Sequence, residues 1–462
     1  MNRTCFLCRT FLPFVFACAF PGAASAQVDR KHTETLLAPF PREVYDSTIL
    51  SPNGRRIAYV RPDGKARAAV IDGKPEKTYQ KVDGLTFSPN SQWHAYGALS
   101  GGAWRLVVNG REQPPQNRVG TPVFSPDSKR LVYTALQADG EHVAVVEINQ
   151  PPGKAYERIF EGKLVFSPDS KRLAYGARIG EKWYMVVDGR PIGPFDFLGA
   201  STGIHFSSDS KHLAFAAMAG KRWCVVVNGK KQKLYDNVGR LSMSPDGKQL
   251  AYLAGSGGKW LVVHNGQEGK PYDAIGEDTL RFSPDSAKLA YAASSGGKWF
   301  VVVNKQEGKP YDGIAEMSFS PNGKQFAYTA KIGATETVVL DGREQKIYDR
   351  IGGGTIAFGP DGRRLGYIAK VGRASFAVVD GRRQPRYDMA GYLTFTPDGG
   401  HYVYAAIKGK KTFTVVDERP AASQYDAIWT VPEARLLFDS PKKFHYLAVK
   451  DGNMYLVEEE VD

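Results

Sequence analysis

Short apolar runs, broken at close intervals by turn residues, dominate the chain. LRFSPDSAKLAYAASSGGKWFVVVN, from Leu280 to Asn304, is representative. LRF runs into a Pro-Asp turn, where Pro presets φ and Asp caps the turn with its side chain. AKLAYAA predicts a second strand, Ser-Gly-Gly-Lys a hairpin, and the β-branched run WFVVVN a third strand. GKPYDGI, from Gly308 to Ile314, reads as a short fourth strand. Elsewhere the third strand ends in Asp-Gly or Asn-Gly, as at Asp188-Gly189, Asn228-Gly229 and Asp341-Gly342, a strong hairpin signal. No segment sustains the 3.6-residue period of a helix, so the chain reads as all-β.

This unit recurs. The SPDG-like turn occurs eleven times, starting at Ser51, Ser88, Ser125, Ser167, Ser207, Ser244, Ser283, Ser320, Gly359, Thr396 and Ser440. A four-stranded propeller blade takes about 40–45 residues, and the spacing between these turns stays close to that. One twisted sheet cannot bury both of its faces; repetition lets each sheet cover the next. Trp104, Trp183, Trp223, Trp260 and Trp299, each at the start of a third strand, are therefore expected to pack between sheets. The fold expected is an all-β propeller of eleven four-stranded blades in one closed array, spanning residues 44–462. Val44 to Ile49 (VYDSTI) resembles the YDAI segment at Tyr272 to Ile275, and the last repeat offers only three strands. The N-terminal segment is accordingly expected to pair beside Asn453 to Glu460 and close the ring. Two fused propellers would be the alternative, since single rings typically have 4–8 blades.

FSPDSKRLAY (Phe166 to Tyr175), with near copies at Phe124 to Tyr133 and Met243 to Tyr252, resembles the WD40-like β-propeller repeat of the TolB family. The resemblance covers the repeats only. Members of that family carry an α/β domain ahead of the propeller, whereas here residues 27–43 form a short lead segment. It implies the fold but no single activity, because such repeats occur in periplasmic scaffolds and in front of peptidase domains.

The first 26 residues read as a signal peptide: Arg3 and Arg9, the apolar run FLPFVFACAF, then Ala24-Ser25-Ala26. Cleavage after Ala26 is expected to send the protein to the periplasm or outside the cell. A lipoprotein site at Cys18 is the rival reading, and Phe16 fits it poorly. Cleavage would leave Cys224 as the sole thiol, so no internal disulfide is expected. The chain carries 61 Lys+Arg against 48 Asp+Glu, a net charge of +13; loss of Arg3 and Arg9 leaves +11. The basic residues follow the SPDG turns (Lys129, Arg130, Lys171, Arg172) or precede the third strands (Lys182, Lys221, Lys259, Lys298), around both rims. Solvated turns are the role expected of them, and nucleic acid is not an expected partner.

No G-x-S-x-G, H-E-x-x-H or phosphate-binding glycine loop is present, and the eight histidines lack metal-ligand spacing. Neither a metal nor a cofactor is expected. The Asp of the SPDG turn and the Asp of the YD motif each have a structural use. Departures from the repeat are the places to look for a site. Where the first strand otherwise carries small or apolar residues, His205 and Arg281 stand. Arg281 needs a partner, and Glu277, Asp278 or Glu316 could supply one. These five residues are the candidate ligand-binding positions. The function expected is a monomeric, non-enzymatic module that binds another protein or an anionic envelope polymer. A glycan-active enzyme using carboxylates at the channel mouth is the alternative.

Overall fold

The computed structural model describes residues 30–137, 139–160, 163–199, 203–429 and 436–461. Among them, eleven antiparallel sheets of four-stranded design follow one another around a ring. We number the blades 1 to 11 in the order of their inner strands, from Ile49–Leu50 in blade 1 to Ala427–Trp429 in blade 11.

Blade 7 shows the plan. Its inner strand comes in two pieces, Ala274–Ile275 and Arg281–Phe282, around the 3-10 turn Glu277–Thr279. Leu289–Ser295, Lys298–Val303 and Gln306–Glu307 follow outward. The bridge Trp299↔Tyr311 extends the outer strand, and Asp312 then leads into Gly313–Phe319, the inner strand of blade 8. The YD motif is thus not a fourth strand. Its Tyr ends the outer strand of one blade, and its Asp opens the crossover to the next.

Because strands alternate in direction, the ring has two distinct faces. The SPDG turns and the Asn-Gly turns lie on one, here called the Pro-Asp face. The YD crossovers and the hairpins between second and third strands lie on the other, the Tyr-Asp face. Between successive sheets run the cores. Ala251, Leu253, Val262 and Tyr272 of blade 6 meet Phe282, Tyr291, Phe300 and Val302 of blade 7, all buried. Each buried Leu, Val or Phe among them contributes roughly 1.5–3 kcal/mol. Trp260 packs against this cluster, and Trp104, Trp183, Trp223 and Trp299 pack against their own.

Closure comes from the N-terminal segment, but from a different stretch of it than expected. His32–Pro39 is the outer strand of blade 11, antiparallel to Asn453–Glu460 from His32↔Glu459 to Pro39↔Asn453. Val44 to Ile49 does not pair there. Arg42–Ser47 is a 3-10 helix, and Ile49–Leu50 is the inner strand of blade 1. The reason is the true position of YD: Tyr45-Asp46 marks a crossover, so the outer strand it follows lies one element earlier. Glu34 confirms the assignment chemically. It accepts from Tyr425 Oη of blade 10 at 2.9 Å, as the outer-strand Glu307 accepts from Tyr272 at 2.9 Å and Glu112 from Tyr79 at 3.0 Å.

The seam carries its own bonds. Arg30 is buried and donates to Glu459 at 3.1 Å and to the Thr414 and Arg419 carbonyls of blade 10 at 3.1 and 2.8 Å. Tyr446 donates to Glu459 at 2.5 Å, and burial holds its hydroxyl protonated well above the usual range. Between blades 11 and 1, Arg55 pairs with Asp439 and Glu458 at 2.8 and 2.9 Å. Tyr45 stacks on Phe40 and meets Trp429 of blade 11 edge-on, with ring centroids at 4.7 and 4.9 Å.

Candidate functional site

On the Pro-Asp face the polar groups are spent on holding blades together. Ser125 donates to Asp127 at 2.6 Å, and Asp127 in turn accepts the Lys129 amide at 3.1 Å. Those donors, hydroxyl first, hold the Asp127 carboxyl below its ordinary value, and the same holds at Asp169, Asp246, Asp285 and Asp398. From the next blade, Ser170 Oγ accepts the Asp127 amide at 2.9 Å. It does so from a left-handed φ of 65°, a costly geometry for a residue other than Gly. Arg130 clamps Glu147 at 2.7 Å and reaches the Ser170 and Lys171 carbonyls of blade 4 at 2.8 and 3.0 Å. Arg172 and Arg364 make the same reach. The expectation of merely solvated basic turns is therefore corrected for these arginines: each is a clamp between blades, because a long guanidinium can satisfy carbonyls that the neighbouring turn leaves free.

On the Tyr-Asp face the YD Asp ties down hairpins. Asp273 accepts the Gly296 amide at 2.9 Å and pairs with Lys259; Asp312 accepts Gly333 N and Lys298 Nζ at 2.6 and 2.5 Å. Asp196 does the same for Gly220 and Lys182. Yet this face also carries exposed apolar side chains. Ile179 projects from a hairpin, Phe197 and Met389 open inner strands, and Leu234 and Ile347 lie on the outer margin. Phe197, 39% exposed, continues an aromatic patch with Phe160, Trp183 and Trp223 across blades 4 and 5.

The five positions singled out from the sequence do not form one free site. Asp278, exposed, pairs with Arg240 of blade 6 at 3.1 Å. Arg281 finds main-chain oxygens rather than a carboxylate: it donates to Asp278 O at 2.9 Å and across to Met317 O of blade 8. Burial and then the charge of Arg240 lower its pKa, with Glu316 acting the other way. Glu316 uses both carboxylate oxygens on the Thr355 and Ile356 amides of blade 9, each at 3.0 Å. Burial raises its pKa, partly offset by those amides. Glu277 stands exposed at the start of the 3-10 turn. His205 lies in blade 5, opposite Ala214 on its inner strand. Arg240, Asp278, Arg281 and Glu316 thus make one charged arc along the inner rim of blades 6 to 8, tied by Glu316 to blade 9, with His205 apart from it.

Two cavities escaped the sequence reading. One, of about 470 Å³, lies between blades 1 and 2 and is lined by Glu43, Asp46, Arg67 and Asp83 over Ile49, Val60 and Leu85. The other, about 340 Å³, lies between blades 2 and 3 beside Trp104, Val119 and Leu136 and shares Asp83 and Gly84 with the first. Both sit where the YD motif fails. Gln80 and Asn117 occupy the crossover position that Asp holds in blades 4 to 10. That substitution was visible in the sequence as a signal, since neither residue supplies the carboxylate that ties the hairpin. Among the described residues no group of His, Cys, Asp and Glu is placed to hold a metal ion. Cys224 is buried, which pushes its thiol pKa up.

No known family model matches the sequence, and no curated relative matches it. Among solved structures, TolB from Acinetobacter baumannii is similar over 66% of this chain and 80% of that one, with 15% identity and a TM-score of 0.26. The β-propeller domain of the Trilobed protease from Pyrococcus furiosus covers 56% of this chain and 94% of its own, at 13% identity and a TM-score of 0.29. A eukaryotic initiation factor covers 81% and 96%, at 13% identity and a TM-score of 0.40. The likeness to TolB stands at the level of the repeat, and the eleven-bladed fold rests on this chain's own sheets.

Proposed function

We propose that this propeller is an exported binding module that engages another macromolecule, a protein or an envelope polymer, through its Tyr-Asp face. One observation carries the proposal: Ile179, Phe197 and Met389 are exposed on that face, while on the other, among the described residues, Trp93 alone is a large exposed apolar side chain. Large apolar groups left in water beside a rigid scaffold mark contact surfaces. Export rests on the leader-like residues 1–26, which lie outside the described residues. Mass spectrometry of the periplasmic fraction is expected to find Gln27 as the first residue; a lipid on Cys18 would contradict export as a soluble protein. No helix among the described residues is long and apolar enough to cross a membrane.

A glycan-active enzyme needs two free facing carboxylates. Glu316 has both oxygens on backbone amides and Asp278 holds Arg240, which weighs for binding over catalysis. The test is capture from the envelope extract of the source cells. Immobilised protein carrying Ile179→Ser, Phe197→Ser and Met389→Ser is expected to lose the captured species. A control with Lys129→Ser, Lys171→Ser and Lys248→Ser on the Pro-Asp face is expected to keep it. Equal capture by both would defeat the proposal.

A further inference from the structure

We propose that the two adjoining cavities on blades 1 to 3 form a groove for a basic, partly apolar polypeptide segment of the partner. This rests on the reading of the Tyr-Asp face as the binding face and goes further by naming the chemistry of what binds.

Charge complementarity selects the occupant. Glu43 and Asp46 make no ion pair or hydrogen bond among the described residues, and Asp83 accepts only the amide of Gly84, at 2.8 Å. Elsewhere on this face Asp196, Asp273, Asp312 and Asp426 are each paired with a lysine. Three uncommitted carboxylates around one cavity are an anomaly in a chain of net charge +13. Arg67, exposed on the same wall, offsets one of them and leaves the cavity net negative. The carboxylates do not converge as metal ligands, so a small divalent ion does not fit the spacing. A lysine or arginine side chain does. Its methylene stem can lie along Ile49, Val60 and Leu85 while its head reaches the acidic rim.

Continuity selects a segment over a single small amine. Asp83 and Gly84 wall both cavities, so an occupant can continue from the acidic rim onto Trp104, Val119 and Leu136. The half-buried indole of Trp104 offers a face for an apolar side chain, while Arg118 on the same wall disfavours a second cation there. The groove lies at the two consecutive junctions where Gln80 and Asn117 stand in place of the YD Asp.

Fluorescence anisotropy with a labelled peptide alternating lysine and leucine, and with its glutamate–leucine counterpart, tests the proposal on the full chain. The lysine peptide is expected to bind, more weakly as salt rises, and the glutamate peptide not to bind. Glu43→Gln, Asp46→Asn and Asp83→Asn together are expected to weaken the lysine peptide roughly tenfold with an unchanged melting temperature, since all three side chains are exposed. Trp104→Phe is expected to preserve binding and Trp104→Ala to weaken it. No binding by the unmodified protein, equal binding of the two peptides, or equal binding by the triple variant would each overturn the groove. Partner capture separates the two levels. If the Ile179, Phe197 and Met389 variant loses capture while the groove variant keeps it, the groove fails and the face stands. If both keep it, the face itself fails.

Discussion

The two faces of the ring are built from the same repeat but put their polar groups to different use. On the Pro-Asp face a serine in left-handed conformation, an aspartate and an arginine link a turn to the next blade, as at Ser170, Asp127 and Arg130 and again at Ser210, Asp169 and Arg172. On the Tyr-Asp face the crossover Asp works mainly on hairpins and lysines, as Asp312 does on Gly333 and Lys298, and where it is replaced the surface opens into cavities. The difference teaches that one repeat can separate holding the ring from presenting a surface. Cohesion is concentrated where the turns touch, which leaves the opposite loops free to vary.

If that division is real, substitutions on the Pro-Asp side should act on stability and leave binding alone. The largest effect is expected at the seam, near this face. Arg30→Met leaves the buried Glu459 carboxylate without its cation, and breaking such a pair typically costs about 3–5 kcal/mol. Denaturant unfolding should show that loss together with faster hydrogen exchange in His32–Pro39 and Asn453–Glu460, the two strands the pair helps to hold. Unchanged stability would mean that closure does not depend on this contact. Next, Ser170→Ala keeps the strained φ and removes the hydroxyl bond to Asp127 N, for a loss of roughly 1 kcal/mol in the same measurement.

Acid should erode the same face. The SPDG carboxyls titrate below their unfolded value of about 3.9, so the stability they contribute is complete above that value and is lost as pH falls through the lower, folded values. The melting temperature is expected to be level above about pH 5 and to fall below about pH 4. Asn53, Asn90 and Asn322 already serve at equivalent turns. Asp127→Asn, Asp169→Asn and Asp246→Asn together should therefore make the acid decline shallower without undoing the turns. The decline should not vanish, because Asp273 and Asp312 on the other face are lowered too, first by Lys259 and Lys298. An identical decline would remove the SPDG carboxyls from the acid response.

Much of the fold was legible. Eleven evenly spaced turns and the alternation of strands and hairpins foretold the blades, and the three-stranded last repeat foretold closure from the N-terminus. The closing strand was misplaced because TETLLAP lacks any repeat motif, whereas the nearby YD drew attention to itself; only the pairing of Tyr311 with Trp299 reveals that YD ends one blade and opens the next. The candidate site was less legible. Arg281 stood out as a charge in an apolar strand and Glu316 as a partner it could take, but burial made both structural: each found backbone partners, which no sequence spacing displays. Gln80 and Asn117 were the quieter signal, visible only once the job of the Asp they replace is known.

The most direct test of the division between faces is a hydrogen-exchange footprint of the full protein with its captured partner bound. Protection is expected in the Tyr-Asp loops, around Ile179, Phe197 and Met389, with exchange in the turns at Ser125, Ser167 and Ser244 unchanged. Protection confined to those Pro-Asp turns would contradict it.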